Sequence, residues 1–257
     1  LFDVKDQVVF VTGAASGLGF GMAEVMADNG ARVTMTDIDA DGLAKAAATL
    51  RDRGLAVEEA VVDVADLDTL TAAIDDTAAR HGRLDVAFAN AGISAGPGYG
   101  TEKGQMNAVS LDDWNRVVHI NLTSIFQTIR AAAAHMKKQK SGRIVITSSI
   151  AGVGSEHMVG YAYAATKAAV NNLVRQASQE LAAYNVMVNS IAPGPFRTNI
   201  GNGRLNDPEV ARQFTEIVPL GRLAEVDEIK GLALLLASPA SSFITGTVIP
   251  IDGGATA

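Results

Sequence analysis

Residues 7–12 (QVVFVT) form an apolar, β-branched run with little polar alternation, the pattern of a strand covered on both faces. The run stops at Gly13, and from Gly17 the apolar positions take helical spacing. Met22, Val25 and Met26 share one face until the stop at Asn29-Gly30. The same unit then recurs. Residues 33–36 predict a second strand closed by Asp37, 41–53 an alanine-rich helix stopped at Gly54, and 57–62 a third strand ending at Asp63. Residues 67–80 predict another helix and 84–89 a fourth strand. Strands alternating with helices imply βαβ units and a parallel sheet, and right-handed crossovers put helices on both faces. Such a sheet holds its ligand outside the carboxyl ends of its strands, where Gly13, Asp37, Asp63 and Asn90 stand.

The second half continues the pattern at longer spacing. Residues 94–110 are glycine-rich and aperiodic, too long for a routine connection. They are expected to form either a lid-like insertion or, the preferred reading, a surface excursion. One long helix is expected over 111–139, with Asp112 and Asp113 in its first turn. A fifth strand is expected over 143–147, a second long helix over 161–183 and a sixth strand over 186–191, ended by Pro193-Gly194-Pro195. Residues 200–220 are breaker-rich, with one short helix expected after Asp207-Pro208. An amphipathic helix over 226–237 and a short strand over 247–251 close the chain. The expectation is an α/β fold, a Rossmann-type doubly wound parallel sheet of about seven strands. No repeat or linker marks a boundary, so residues 1–257 are expected to form one domain, with a loop region over about 194–220.

Composition narrows the functions. The formal net charge is −7 and the longest basic cluster is Lys137-Lys138-Gln139-Lys140, which argues against nucleic acid or anionic membrane as a partner. There is no cysteine, which removes disulfides, thiol catalysis and Cys-ligated zinc, and no His or carboxylate cluster has metal-ligand spacing, so no metal is expected. No apolar run approaches a membrane span, and the chain is expected to be cytoplasmic. His119 and His135 read as packed or surface residues, and His81 as a helix end.

Two stretches carry the candidate chemistry. Thr12-Gly13-Ala14-Ala15-Ser16-Gly17-Leu18-Gly19 links the first strand to the first helix, where glycines allow a phosphate to approach the free N–H groups and positive dipole of a helix start. Asp37 ends the next strand, where a carboxylate accepts hydrogen bonds from adenosine ribose hydroxyls and repels a 2′-phosphate. Neither Ala15 nor Ile38 offers that phosphate a positive charge, so NAD(H) is expected over NADP(H). The second stretch is 148–167, SSIAGVGSEHMVGYAYAATK. Tyr163 and Lys167 lie one helical turn apart on one face, where an ammonium stabilises a tyrosinate. Tyr161, two residues earlier, points well away from Lys167 and is expected to pack or to wall the substrate.

Taken together, these motifs resemble the short-chain dehydrogenase/reductase family from residue 7 to about residue 254. The resemblance implies that TGAASGLG is the cofactor turn (Gly13, Ser16, Gly17, Leu18, Gly19) and that Asp63-Val64 contacts adenine. It makes Asn90-Ala91-Gly92 the fourth-strand motif, and Pro193-Gly194 with Thr198 the loop that holds the nicotinamide carboxamide. It implies a catalytic tetrad of Asn121, Ser149, Tyr163 and Lys167. Strand alternation sends Ser148 and Ser149 in opposite directions, and Ser149 is the one at the family position. Ala89 departs from a frequent second Asn, and the 94–110 stretch is longer than usual, so substrate access does not carry over. The resemblance further implies a homotetramer built on the two long helices and the last strand.

The expected reaction is reversible hydride transfer between NAD(H) and a small secondary alcohol or ketone, with Tyr163 as general acid/base. An NAD-retaining epimerase or dehydratase, or a non-catalytic cofactor sensor, is the alternative. His157, Met158 and Phe196 are candidate substrate-wall residues, since the loop between Ser149 and Tyr163 should overhang the substrate.

Overall fold

The computed structural model describes residues 1–198, 203 and 207–257. Seven parallel strands form one sheet in the order β3-β2-β1-β4-β5-β6-β7: β1 (Val8–Thr12), β2 (Arg32–Asp37), β3 (Val57–Val61), β4 (Val86–Ala89), β5 (Gly142–Thr147), β6 (Val186–Pro193) and β7 (Val248–Ile251). The chain moves outward from β1 to β3, returns to β4 on the other side of β1, and then moves outward again. That reversal opens a crevice between β1 and β4 at their carboxyl ends.

Alternation along β1 divides the core into two layers. Val9 and Val11 pack with Met22 and Met26 of α1 (Gly17–Asp28) and Leu43 and Leu50 of α2 (Ala40–Arg51). Val8 and Phe10 face the other way. They join Leu70 and Ile74 of α3 (Leu67–His81), Ile125 and Met136 of α5 (Ser124–Gln139), and Val170 and Val174 of α6 (Tyr161–Leu181). The central strands β1, β4, β5 and β6 are thus buried on both faces, which is why their sequences are largely apolar, whereas the edge strand β3 (VEEAV) alternates with exposed positions.

Three expectations change in detail. The helix over 111–139 is interrupted: α4 (Leu111–Val118) passes through a π turn at His119–Thr123 into α5. The interruption is local, with Ser124 Oγ donating to the Ile120 carbonyl at 2.5 Å and His119 Nε2 2.8 Å from the Ala65 carbonyl. The stretch over 226–237 starts as a 3-10 turn, Val226–Ile229, closed by a reciprocal Glu225/Glu228 capping box, before α8 (Lys230–Ala237). Residues 94–110 are not a bare surface excursion. They contain two 3-10 turns, Glu102–Gly104 and Met106–Ala108, and their first part pairs with the loop before α6 through Pro97 and Val159. The helix expected after Asp207-Pro208 is α7 (Pro208–Glu216), N-capped by the Asp207 carboxylate. Most of the expected breaker-rich connection before it, 199–202 and 204–206, lies outside the described residues. Among the described residues, no helix is long and apolar enough to cross a membrane, and no His, Asp or Glu cluster could hold a metal.

Candidate active site

A cavity of about 1040 Å³ opens at the switch point. Its floor is the glycine turn. Gly13 has φ +69° and Gly17 φ +56°, left-handed values that a residue with Cβ rarely adopts. Gly19 does something else: it does not line the cavity, and a Cβ there would stand 2.0 Å from the Gly13 carbonyl oxygen and 2.5 Å from Asn90 Nδ2. The missing Cβ lets α1 pack against the turn. The Ser16 side chain makes no cap hydrogen bond and α1 has no acidic residue in its first turn, whereas α2 and α3 are capped by Asp39 and Asp66. Ser16, Gly17 and Leu18 line the cavity, so the first-turn N–H groups and the positive end of α1 face it without a protein anion.

Asn90 binds the strand ends together. Its Nδ2 donates to the carbonyls of Thr12 (3.0 Å) and Gly13 (3.2 Å), and its Oδ1 accepts from Thr147 Oγ1 at 2.9 Å. The backbone N–H groups of Asn90 and Ala91 both donate to Thr12 Oγ1 at 3.0 Å. Thr12 and Thr147, which the sequence reading did not single out, therefore fix the relation of β1, β4 and β5. At one end of the cavity Asp37 and Asp63 close β2 and β3, with Ile38 and Val64 beside them. The Asp37 carboxylate accepts from Ala15 N at 3.0 Å and Asp39 N at 3.1 Å, which ties the glycine turn to β2.

The other end holds Ser149, Tyr163 and Lys167. The Ser149 hydroxyl hydrogen-bonds Tyr163 and caps the turn Ile150–Gly152 by accepting from Ala151 N at 3.1 Å. Ser148 is used differently: its Oγ donates to the Lys167 carbonyl at 3.3 Å. Lys167 is 3% exposed, and its Nζ donates to the Thr147 carbonyl at 2.8 Å and stands 5.6 Å from the centre of the Tyr163 ring. Burial lowers the Lys167 pKa to about 8. Burial raises that of Tyr163, and the Ser149 hydrogen bond partly opposes the rise. Asn121, fully buried in the π turn, clasps Ile93: its Oδ1 accepts from Ile93 N and its Nδ2 donates to Ile93 O, both at 2.8 Å. That clasp holds Gly92 against Asn121 and Lys167, since a Cβ on Gly92 would stand 3.3 Å from Asn121 Oδ1 and 3.7 Å from Lys167 Nζ. Ala91, Gly92, Pro193, Gly194 and Thr198 also line the cavity.

Two of the expected substrate-wall residues are elsewhere. Phe196 lines the cavity, but His157 and Met158 do not. Glu156 turns inward instead, its carboxylate accepting from Met158 N at 3.0 Å. This closes a tight turn that leaves the His157 side chain 58% exposed and Met158 buried. Val159, Pro97, Phe214 and Ile217 also line the cavity without having been singled out. Val159, Pro97 and Ile217 lie in aperiodic segments, and Phe214 lies in the short helix α7, where spacing alone does not say which face meets the cavity. Tyr161 packs beside Tyr99, ring centres 6.2 Å apart.

The glycine turn, the open helix end, the β2 carboxylate and the Ser-Tyr-Lys constellation define a nicotinamide-dependent oxidoreductase. The comparisons narrow the class. Residues 13–256 match the family model described as enoyl-(acyl carrier protein) reductase. The cis-4-hydroxycyclohexanecarboxylate dehydrogenase of Sinomonas cyclohexanicum is 38% identical over 98% of this chain and 97% of its own. The meso-2,3-butanediol dehydrogenase of Serratia marcescens is 35% identical over 98% of this chain and 95% of its own. A crystal structure of a Brucella melitensis 3-oxoacyl-[acyl-carrier protein] reductase with bound NAD has a TM-score of 0.87 at 36% identity, covering 98% of this chain and 92% of that one. The chain belongs to the short-chain dehydrogenase/reductase family, and its reaction is hydride transfer on a secondary alcohol or ketone.

Proposed function

We propose that the protein is an NAD-dependent dehydrogenase of small secondary alcohols, with the whole chain, 1–257, acting as one catalytic domain. The observation that carries the cofactor assignment is Asp37 at the cavity edge with Ile38 beside it. A 2′-phosphate beside that carboxylate meets like-charge repulsion of about 3 kcal/mol at 5 Å for an effective dielectric constant of about 20. Partial exposure reduces this, which leaves about a tenfold to hundredfold preference for NAD. Gly13, Ser16, Gly17 and Leu18 suit the pyrophosphate, with Gly19 behind them as a packing glycine. Asp63 and Val64 suit the adenine, Ala91 and Gly92 the ribose path, and Pro193, Gly194 and Thr198 the carboxamide. When bound, the cofactor accepts or returns the hydride at its nicotinamide C4.

Tyr163 handles the proton. In alcohol oxidation its phenolate takes the hydroxyl proton as the carbinol hydride departs, and in ketone reduction the phenol gives that proton back. A tyrosine of pKa about 10 must drop by about 3 units, or roughly 4 kcal/mol, to work near neutrality, and burial adds to that demand. Charged Lys167 offsets much of it: at 5.6 Å from the ring centre, opposite charges interact by about 3 kcal/mol at the same dielectric constant. Ser149 supplies a further opposing hydrogen bond and aims the substrate oxygen at Tyr163. Asn121, through its π turn, supports a water that carries protons from Lys167 toward solvent.

A homotetramer in the cytoplasm belongs to the same reading. It is supported by the exposed Phe126 of α5 and Phe243 before β7, and sedimentation velocity tests it. The cofactor assignment is tested by kcat/KM for NAD against NADP with one alcohol. A preference for NADP would overturn it.

A further inference from the structure

Among the described residues, three carboxylates line the cavity, and only two have a place in cofactor binding. Asp37 and Asp63 end β2 and β3. Glu156 stands at the opposite end, on the loop joining Ser149 to Tyr163. Its side chain is 13% exposed. Its Oε1 accepts from Met158 N at 3.0 Å and lies 3.5 Å from His157 Nδ1, while Oε2 has no hydrogen-bond partner among the described residues.

The loop that carries Glu156 is clamped. Pro97 pairs with Val159, and Tyr99 packs against His157 with ring centres 6.4 Å apart. Gly98 lies directly under the His157 carbonyl: a Cβ there would stand 1.8 Å from that oxygen. This close approach of two backbones fixes the path of the loop that carries Glu156. The lining of the same cavity includes the apolar side chains of Ile93, Pro97, Val159, Phe196, Phe214 and Ile217. Among the described residues, the two cations that line the cavity, Lys167 and Arg116, give Glu156 no direct partner. Lys167 is spent on Thr147 and Tyr163, and Arg116 is 60% exposed beside Asp113.

We propose that Glu156 is a substrate-specificity residue that accepts a hydrogen bond from a second, uncharged hydroxyl, so that the substrate class is a small diol or hydroxy-ketone. The inference rests on the dehydrogenase reading above. A carboxylate in an apolar wall favours a neutral donor and disfavours an anion at the same place. It therefore sets this chain toward the butanediol type of relative and away from the hydroxycyclohexanecarboxylate type. The reacting carbinol loses its hydride to the cofactor and its hydroxyl proton to Tyr163. The second hydroxyl keeps its proton and only donates a hydrogen bond to Glu156.

The test measures kcat/KM with NAD for butane-2,3-diol against butan-2-ol, and for cyclohexane-1,2-diol and 4-hydroxycyclohexanecarboxylate against cyclohexanol. It compares wild type with Glu156→Ala and Glu156→Gln, and NADH fluorescence titration confirms that each variant keeps a formed cofactor site. Wild type should favour the diols by about tenfold or more, the range expected for a hydrogen bond to a charged acceptor. Glu156→Ala should bring the diol-to-monoalcohol ratio close to one. Glu156→Gln, which keeps the shape and an acceptor for Met158, should raise the relative kcat/KM of the carboxylate by about tenfold and carries the test if the alanine variant does not fold. An unchanged ratio in both variants, or a wild-type preference for the carboxylate, would overturn the proposal. Turnover of no panel member would overturn the dehydrogenase reading as well.

Discussion

Replacing Lys167 with methionine should make the protein more stable and inactive. The ammonium is 3% exposed, and burial depresses its pKa from 10.5 to about 8. At 1.36 kcal/mol per pKa unit, holding that charge inside the folded protein costs roughly 3 kcal/mol at pH 7. Methionine has a similar length and no charge, but it leaves the Thr147 carbonyl without its donor, a loss of about 1 kcal/mol. The net expectation is a gain of about 2 kcal/mol at neutral pH. The sign of its pH dependence follows from the proton count. Between about pH 8 and 10.5 the unfolded lysine binds more protons than the folded one, so wild-type stability rises with pH over that window and the cost of the charge fades. By pH 10 most of it is gone, and the variant's advantage should shrink by about 2 kcal/mol. Urea unfolding of wild type and variant at pH 7 and pH 10, followed by far-UV circular dichroism, gives the difference directly. An advantage that stays the same at both pH values, or a variant less stable at pH 7 than at pH 10 relative to wild type, would refute the reasoning.

Tyr163→Phe should remove nearly all turnover while leaving NADH affinity within about threefold, since the ring and its packing remain; retained turnover in a stopped-flow assay would sink the proton-transfer role. Ser149→Ala removes the hydrogen bond that opposes the burial-driven rise of the Tyr163 pKa. Oxidation, which needs the phenolate, should therefore shift its pH–rate profile to higher pH, and a shift to lower pH would contradict the assignment. Gly19→Ala would put a methyl 2.0 Å from the Gly13 carbonyl, backbone against backbone, so a loss of about 2 kcal/mol or more and at least tenfold weaker NADH binding are expected by thermal melting and titration. Asp37→Ser with Ile38→Arg should shift the NADP-to-NAD ratio of kcat/KM upward by about a hundredfold, and no change would remove Asp37 from cofactor selection.

The strands and most helices were legible because the central strands are buried on both faces, the edge strand β3 on alternate positions, and the helices on one face. Burial imposes a period on the chain, as along Val8 to Thr12, where successive residues enter opposite core layers. The glycine turn, Asp37, Tyr163 and Lys167 were legible too. Their spacing is local, and one strand end or one helical turn suffices to bring each set together. The π turn was not legible. His119 to Thr123 keeps helical composition, and the interruption arises where Asn121 meets Ile93 and His119 meets Ala65, partners distant in sequence. The close approach of Gly19 to the Gly13 carbonyl was not legible either, because spacing does not say which backbone a glycine packs against.

By itself, the sequence determined the parallel α/β sheet, the cavity's place at the strand ends and the juxtaposition of Tyr163 and Lys167, because periodic burial and short-range spacing encode them. Only the tertiary structure decided which residue of the loop between Ser149 and Tyr163 faces the cavity. That loop has no period. Its direction is set by Glu156 closing a turn on Met158 N and by Pro97 and Gly98, some sixty residues upstream, pressing on Val159 and His157. His157, the conspicuous side chain in the sequence, is turned outward, and the carboxylate beside it points in.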